Sequence, residues 1–95
     1  MVSHNRAWGI VLAGSQHDVI LQNVMTDNRG TTMFSGGIVL IETPRARQDG
    51  SHDASSNNLL LLNSLRGNRP ADIVQDAASI PNLIVGIGES LIANR

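Results

Sequence analysis

The 95-residue chain has no cysteine, no lysine and no tyrosine, and its only aromatic residues are Trp8 and Phe34. The lack of cysteine excludes structural disulfides and thiolate metal sites. So few aromatics leave neither a base-stacking platform for nucleic acid nor a dense aromatic cleft for sugars. The formal net charge of −1 gives no broad basic field for nucleic acid or an anionic membrane. All seven basic residues are arginine, which reads as base-composition bias in the source genome. Long apolar runs are also missing. Runs such as Leu59–Leu62, which none exceeds, are far too short to span a bilayer. Residues 1–14 lack a basic segment followed by a long apolar one, so they do not read as a signal peptide. The compartment stays open.

What is present is a set of short apolar runs bracketed by Gly, Asn, Asp and Ser. They fall at residues 8–12, 18–25, 36–42, 58–65, 72–76 and 82–87. Each has the length of a strand and is bounded by turn formers. A helix over 57–69 would have no amphipathic stripe. One over 82–93 would hold Gly86 and Gly88 within a single turn. The length allows one domain, residues 1–95, whose apolar fraction of 41% is enough for a core.

The runs repeat. When Asn23 is aligned with Asn63, Ile20 falls on Leu60, Met25 on Leu65, Asn28 on Asn68 and Arg29 on Arg69. A third, looser copy runs from Asn82 through Ile84 to Leu91, Asn94 and Arg95. Between these copies recur Gly9-Ile10-Val11-Leu12, Gly37-Ile38-Val39-Leu40 and Asp72-Ile73-Val74-Gln75. Self-similarity of this kind marks stacked repeats, in which no unit buries its apolar face alone. Asparagine suits the corners, because its amide tolerates left-handed backbone and bonds nearby groups. Asn23, Asn28, Asn63, Asn68 and Asn94 are therefore expected to form structural ladders. Ile10, Ile38 and Ile73 should stack in one column, and Ile20, Leu60 and Ile84 in another. Alternation then turns Val19, Leu21, Leu59 and Leu61 outward.

These residues resemble the right-handed parallel β-helix of the pectin-lyase-like superfamily. The likeness is greatest to its generic right-handed β-helix repeat members, which include the periplasmic β-helix proteins of copper-enzyme maturation. The resemblance covers roughly residues 5–95. It implies an all-β solenoid of about three to four coils. Members of that superfamily carry more coils and an N-terminal cap, and are usually periplasmic or extracellular. The expectation is therefore a C-terminal fragment or short form whose open ends invite self-association.

One segment does not repeat. Residues 42–56 form a long loop insertion that holds Pro44, which breaks strand pairing, with Arg45, Arg47, Asp49, His52 and Asp53. Loops of this length in compact domains are often functional or simply solvated and disordered, and the resemblance implies active sites in grooves flanked by such loops. Arg47, Asp49, His52 and Asp53 are the catalytic candidates. In that chemistry an arginine neutralises a uronate carboxylate while a carboxylate or imidazole moves the proton. Asp49, His52 and Asp53 also offer oxygen and nitrogen ligands for a divalent cation such as calcium. Their spacing matches no metal signature, so no metal or other cofactor is assigned. Asp72 and Asp76 read as corner residues. Phosphate-loop, zinc-protease and nucleophile-elbow motifs are missing, and so are the double-Asp and Gly-His-Gly motifs of pectin-type hydrolases and the Asp-Pro-His motif of alginate epimerases. The chain thus reads as a non-catalytic β-helix module, structural or carbohydrate-associated. The alternative is a polysaccharide-active lyase, hydrolase or epimerase, or its remnant. A polysaccharide is the expected partner; nucleic acid and membrane are not.

Overall fold

The computed structural model describes residues 1–43, 46–86 and 90–95. Every regular element among them is a strand: β1 (Val2–Ser3), β2 (Trp8–Ala13), β3 (Val19–Leu21), β4 (Val24–Thr26), β5 (Gly36–Ile41), β6 (Leu59–Leu61), β7 (Ser64–Arg66), β8 (Ala71–Gln75), β9 (Leu83–Val85) and β10 (Ile92–Asn94). Pro44 and Arg45 of the expected insertion, and Ile87 and Gly88 near the last expected strand, lie outside the described residues.

The protein is all-β with three parallel sheets, ordered β1-β4-β7, β10-β8-β5-β2 and β3-β6-β9. From β2 to β9 the chain visits the second, third and first sheets in turn, each lap laying its strands beside those of the lap before, and β10 then returns directly to the second sheet. Ile10, Ile38 and Ile73 are register partners, as are Ile20, Leu60 and Ile84, and Met25 and Leu65. These columns meet in the middle. Ile20, Met25, Ile38, Leu40, Leu60, Leu65 and Ile73 form one buried cluster, each large side chain contributing about 1.5–3 kcal/mol. The phase expected from alternation holds in the third sheet: Ile20 is 7% exposed, its neighbours Val19 and Leu21 61% and 47%. The second sheet is also covered on its outer face. Val39, Ala71 and Val74 are buried there, with Phe34, Ile41 and Ala93 packed on them. Burial on both faces explains why β5 reads as an unbroken apolar run.

The long runs at 18–25 and 58–65 are each two strands, divided by a corner. Gln22 and Leu62 hold these corners with φ of 50° and 55°. The left-handed residue is not the asparagine but the one before it. His4, His17, Gln22, Asp27, Asn57 and Leu62 all have positive φ, and each precedes an Asn or Asp. The turn at the first residue aims the second residue's side chain into the stack.

There the amides form a directional ladder. Asn5 Nδ2 donates to Asn28 Oδ1 at 2.8 Å, and Asn28 Nδ2 to Asn68 Oδ1 at 2.8 Å. Asn68 Nδ2 donates in turn to Asp72 Oδ1 at 2.9 Å. Each amide also spends a proton on the lap behind it: Asn28 Nδ2 on Val2 O, Asn68 Nδ2 on Met25 O. The recurring glycines make room for this column. A Cβ on Gly37 would lie 2.9 Å from the Asn68 amide, and one on Gly9 2.9 Å from that of Asn28. The third residue in that register is Asp72, whose own carboxylate occupies the next rung. It accepts from Asn68 and, through Oδ2, from Leu91 N at 2.9 Å. An acceptor-only group suits a ladder's last rung.

A second column sets Asn23 N on Asn63 Oδ1 at 3.0 Å, and a third sets Asn58 Nδ2 on Asn82 Oδ1 at 3.0 Å. Asn94 stands apart from these columns. It lies on β10, where its Oδ1 accepts from Gln75 Nε2 at 2.7 Å. The last lap separates Gln75 from Asn94 by 19 residues, against 40 between Asn28 and Asn68, so the second half of the third copy arrives one sheet later.

Two stability measurements by chemical denaturation follow. Asn68→Ala strips partners from buried Asn28, Met25 and Asp72 together and should cost about 3 kcal/mol or more, whereas Asn94→Ala should cost about 1. Leu62→Gly relieves a left-handed leucine that is half exposed, and should leave stability unchanged or raise it by about 1 kcal/mol.

Candidate functional site

The insertion leaves the stack at the end of β5 and closes on itself as a hairpin. Thr43 N donates to Asp53 O at 2.8 Å, and Arg47 N to Ser51 O at 2.7 Å. Asp53 N also takes the Thr43 hydroxyl as acceptor at 3.0 Å. The chain then rejoins the stack at Ser55, which is fully buried. Ser55 Oγ accepts from Ser15 N at 3.1 Å, and Ser79 Oγ accepts from Ser55 N at 3.0 Å. This serine column fixes where the excursion ends. It went unread in the sequence because serine is common in loops; its signal is that Ser15 and Ser55 keep the same 40-residue offset as Asn28 and Asn68.

Each catalytic candidate is engaged within the hairpin. Arg47 pairs with Asp53 through two nitrogens, Nε lying 3.2 Å from Oδ2 and Nη2 against Oδ1. Asp49 Oδ1 accepts the Ser51 hydroxyl at 2.6 Å and the Ser51 N–H at 2.9 Å. His52 Nδ1 lies 2.5 Å from Thr43 O. That carbonyl accepts only, so this nitrogen carries the proton. Asp49 and Arg47 belong to the exposed tip, while Asp53 and Thr43 sit at the half-buried base.

At that base lies an open cleft of about 510 Å³. His52 lines it together with Glu42, Asp76, Arg95, Phe34 and Ile41. Glu42, Asp76 and Arg95 come from three separate laps, so no local motif announced them. Asp76 is a corner residue: its Oδ2 accepts from Glu42 N and its Oδ1 from Ser79 N, both at 2.8 Å. Asp49 and Arg47 do not line the cleft. Among the described residues no three His, Asp or Glu side chains converge as a metal site would require. The arrangement offers mixed charge beside an aromatic ring, with its carboxylates and guanidinium drawn from a rigid stack and a hairpin wall.

No family model, curated protein or solved structure matches the chain.

Among the described residues one ionisation is displaced. The Ser51 hydroxyl and then its backbone N–H hold the Asp49 carboxyl below the ordinary carboxylate value. A depressed pKa stabilises the hairpin tip above the carboxyl's unfolded value and ceases to do so as pH falls through the folded one. Ser51→Ala should move the Asp49 titration up towards the ordinary value in a carboxyl-detected NMR titration.

Proposed function

We propose that the chain is a right-handed parallel β-helix module of the pectin-lyase-like kind, structural or carbohydrate-associated, that does not itself turn over substrate. The rotation of the chain through three parallel sheets, the inward Ile and Leu columns and the stacked amides all support a solenoid of about three to four coils. The single observation that carries the non-catalytic reading is the state of the hairpin. Arg47 answers Asp53, Asp49 answers Ser51 and His52 answers Thr43. General acid–base catalysis needs a group free to reach the proton it moves, and here each candidate serves the loop. The unpaired outer edges of β2 and β10 suit end-to-end association with another copy.

The enzyme reading has one observation in its favour, the cleft beside the hairpin with Glu42, His52 and Arg95 on its walls. A turnover assay separates the two. Incubated with uronic-acid polymers, the protein should release no new chain ends above a blank, and Asp49→Ala and Asp53→Ala should match the wild type. Activity that disappears in either variant would overturn the non-catalytic reading and install the hairpin as a catalytic wall.

A further inference from the structure

The three sheets differ on their outer faces. The first turns Ser3, Val24, Thr26, Ser64 and Arg66 outward, a mostly polar set. The second is covered by Phe34, Ile41 and Ala93. The third is neither polar nor covered. Its outward positions form two register rows, Val19-Leu59-Leu83 and Leu21-Leu61-Val85. All six residues are aliphatic. Val19, Leu21, Leu83 and Val85 are 61%, 47%, 62% and 41% exposed, and Leu59 and Leu61 on the middle strand are half-buried. Past the second row, Leu62 lies over Gly86 and is 50% exposed. Beside the first row, Leu59, Pro81 and Leu83 share an open cleft of about 400 Å³. Residues 15–24, 55–63 and 79–86 carry this face and its corners, and their only ionisable side chains are His17 and Asp18. Asp18 is held by the Ser15 hydroxyl.

A contiguous aliphatic face is costly in water. Neither the core nor the ladder requires it, because both use the inward side of the same strands. We infer that the outer face of the third sheet is a dimer interface, packed on the same face of a second copy. The arrangement of the two rows selects that occupant. A two-fold axis in the plane of the interface, running along the strands, sets β3 of one copy over β9 of the other. Val19 then meets Leu83, and Val85 meets Leu21. With the axis running across the strands, β3 lies over β3 and β9 over β9. Val19 then meets Leu21, and Val85 meets Leu83. In both arrangements every valine of one copy faces a leucine of the other. Large against small is how facing layers interdigitate, and sheets with aligned strands pack about 10 Å apart. With Leu62 the face opens about 500 Å² on each copy, so a pair covers ~1,000 Å², the lower bound for specific association. Such a dimer is reversible and depends on concentration. An anionic membrane surface would attract flanking cations, and the spans carrying this face hold no arginine. The dimer does not rest on the carbohydrate-associated reading, and its surface is separate from the open edges of β2 and β10.

Sedimentation equilibrium over a rising concentration series tests this. The average mass should climb from one chain towards two and stop there. Leu21→Glu and Leu83→Glu each place a charge in the interface twice over, and each should weaken dimerisation about tenfold or more. Met33→Glu, at an exposed position in the segment beside Phe34, should leave it unchanged. Methyl NMR on the wild type gives a readout that needs no variant. The resonances of Val19, Leu21, Leu59, Leu61, Leu83 and Val85 should shift with concentration, while those of buried Ile38 and Leu40 hold still. A protein that stays a single chain at millimolar concentration would end the proposal. Growth past two chains that persists in Leu21→Glu would assign association to the open strand edges instead. Concentration-dependent shifts confined to residues outside the third sheet would overturn the face as the interface. A single-chain protein that floats with phosphatidylcholine vesicles, and ceases to in Leu83→Glu, would give the face to lipid and overturn the dimer.

Discussion

The structure depends on one hydrogen bond made repeatedly, from the amide of one lap to the amide oxygen of the next. An asparagine buried at a corner costs free energy unless both of its protons and its oxygen find partners. Stacked laps satisfy all three groups, because each amide gives one proton forward and one back. The apolar columns supply most of the stabilisation, but they are permissive: Ile, Leu and Met interchange along them. The amide column is not. A shift of one residue would leave its groups unpaired and turn the apolar faces outward together. The ladder thus sets the register that the core then fills.

That division of labour explains where the chain can vary. Between Ser15 and Asn28 on one lap and their partners on the next, the offset stays at 40 residues. Between Ser55 and Asn58 and theirs it stays at 24. All of the difference is taken up outside these columns, in the hairpin after β5 and in the segment after Asn28 that brings Phe34 over the second sheet. Material added between two columns does not disturb either. The same logic separates two aspartate roles in the chain: Asp72 closes a ladder inside the stack, whereas Asp49 organises only its own exposed tip.

Much of this architecture was legible in the residues. Strand-length runs, turn formers and the alignment of 18–29 with 58–69 pointed to parallel repeats, because a period-two pattern and a fixed offset survive in sequence. Two things were not legible. The corners at Gln22 and Leu62 are held by left-handed residues of no special type, since the conformation is imposed by the asparagine that follows and by the strands on either side. The cleft draws Glu42, His52, Asp76 and Arg95 from laps far apart in the chain, and only the stacking brings them together. The loop candidates Arg47, Asp49, His52 and Asp53 were found as a cluster because they are close in sequence, and that same closeness lets them bond with one another and with Thr43 and Ser51.

The directed amide column is the central claim, and trans-hydrogen-bond NMR reads it most directly. On uniformly labelled protein, a scalar coupling should connect the Asn28 side-chain nitrogen to the Asn68 side-chain carbonyl carbon, and the Nδ2 protons of Asn28 and Asn68 should exchange far more slowly than those of Asn94. No coupling, with all three asparagines exchanging at the same rate, would contradict the ladder and the register built on it.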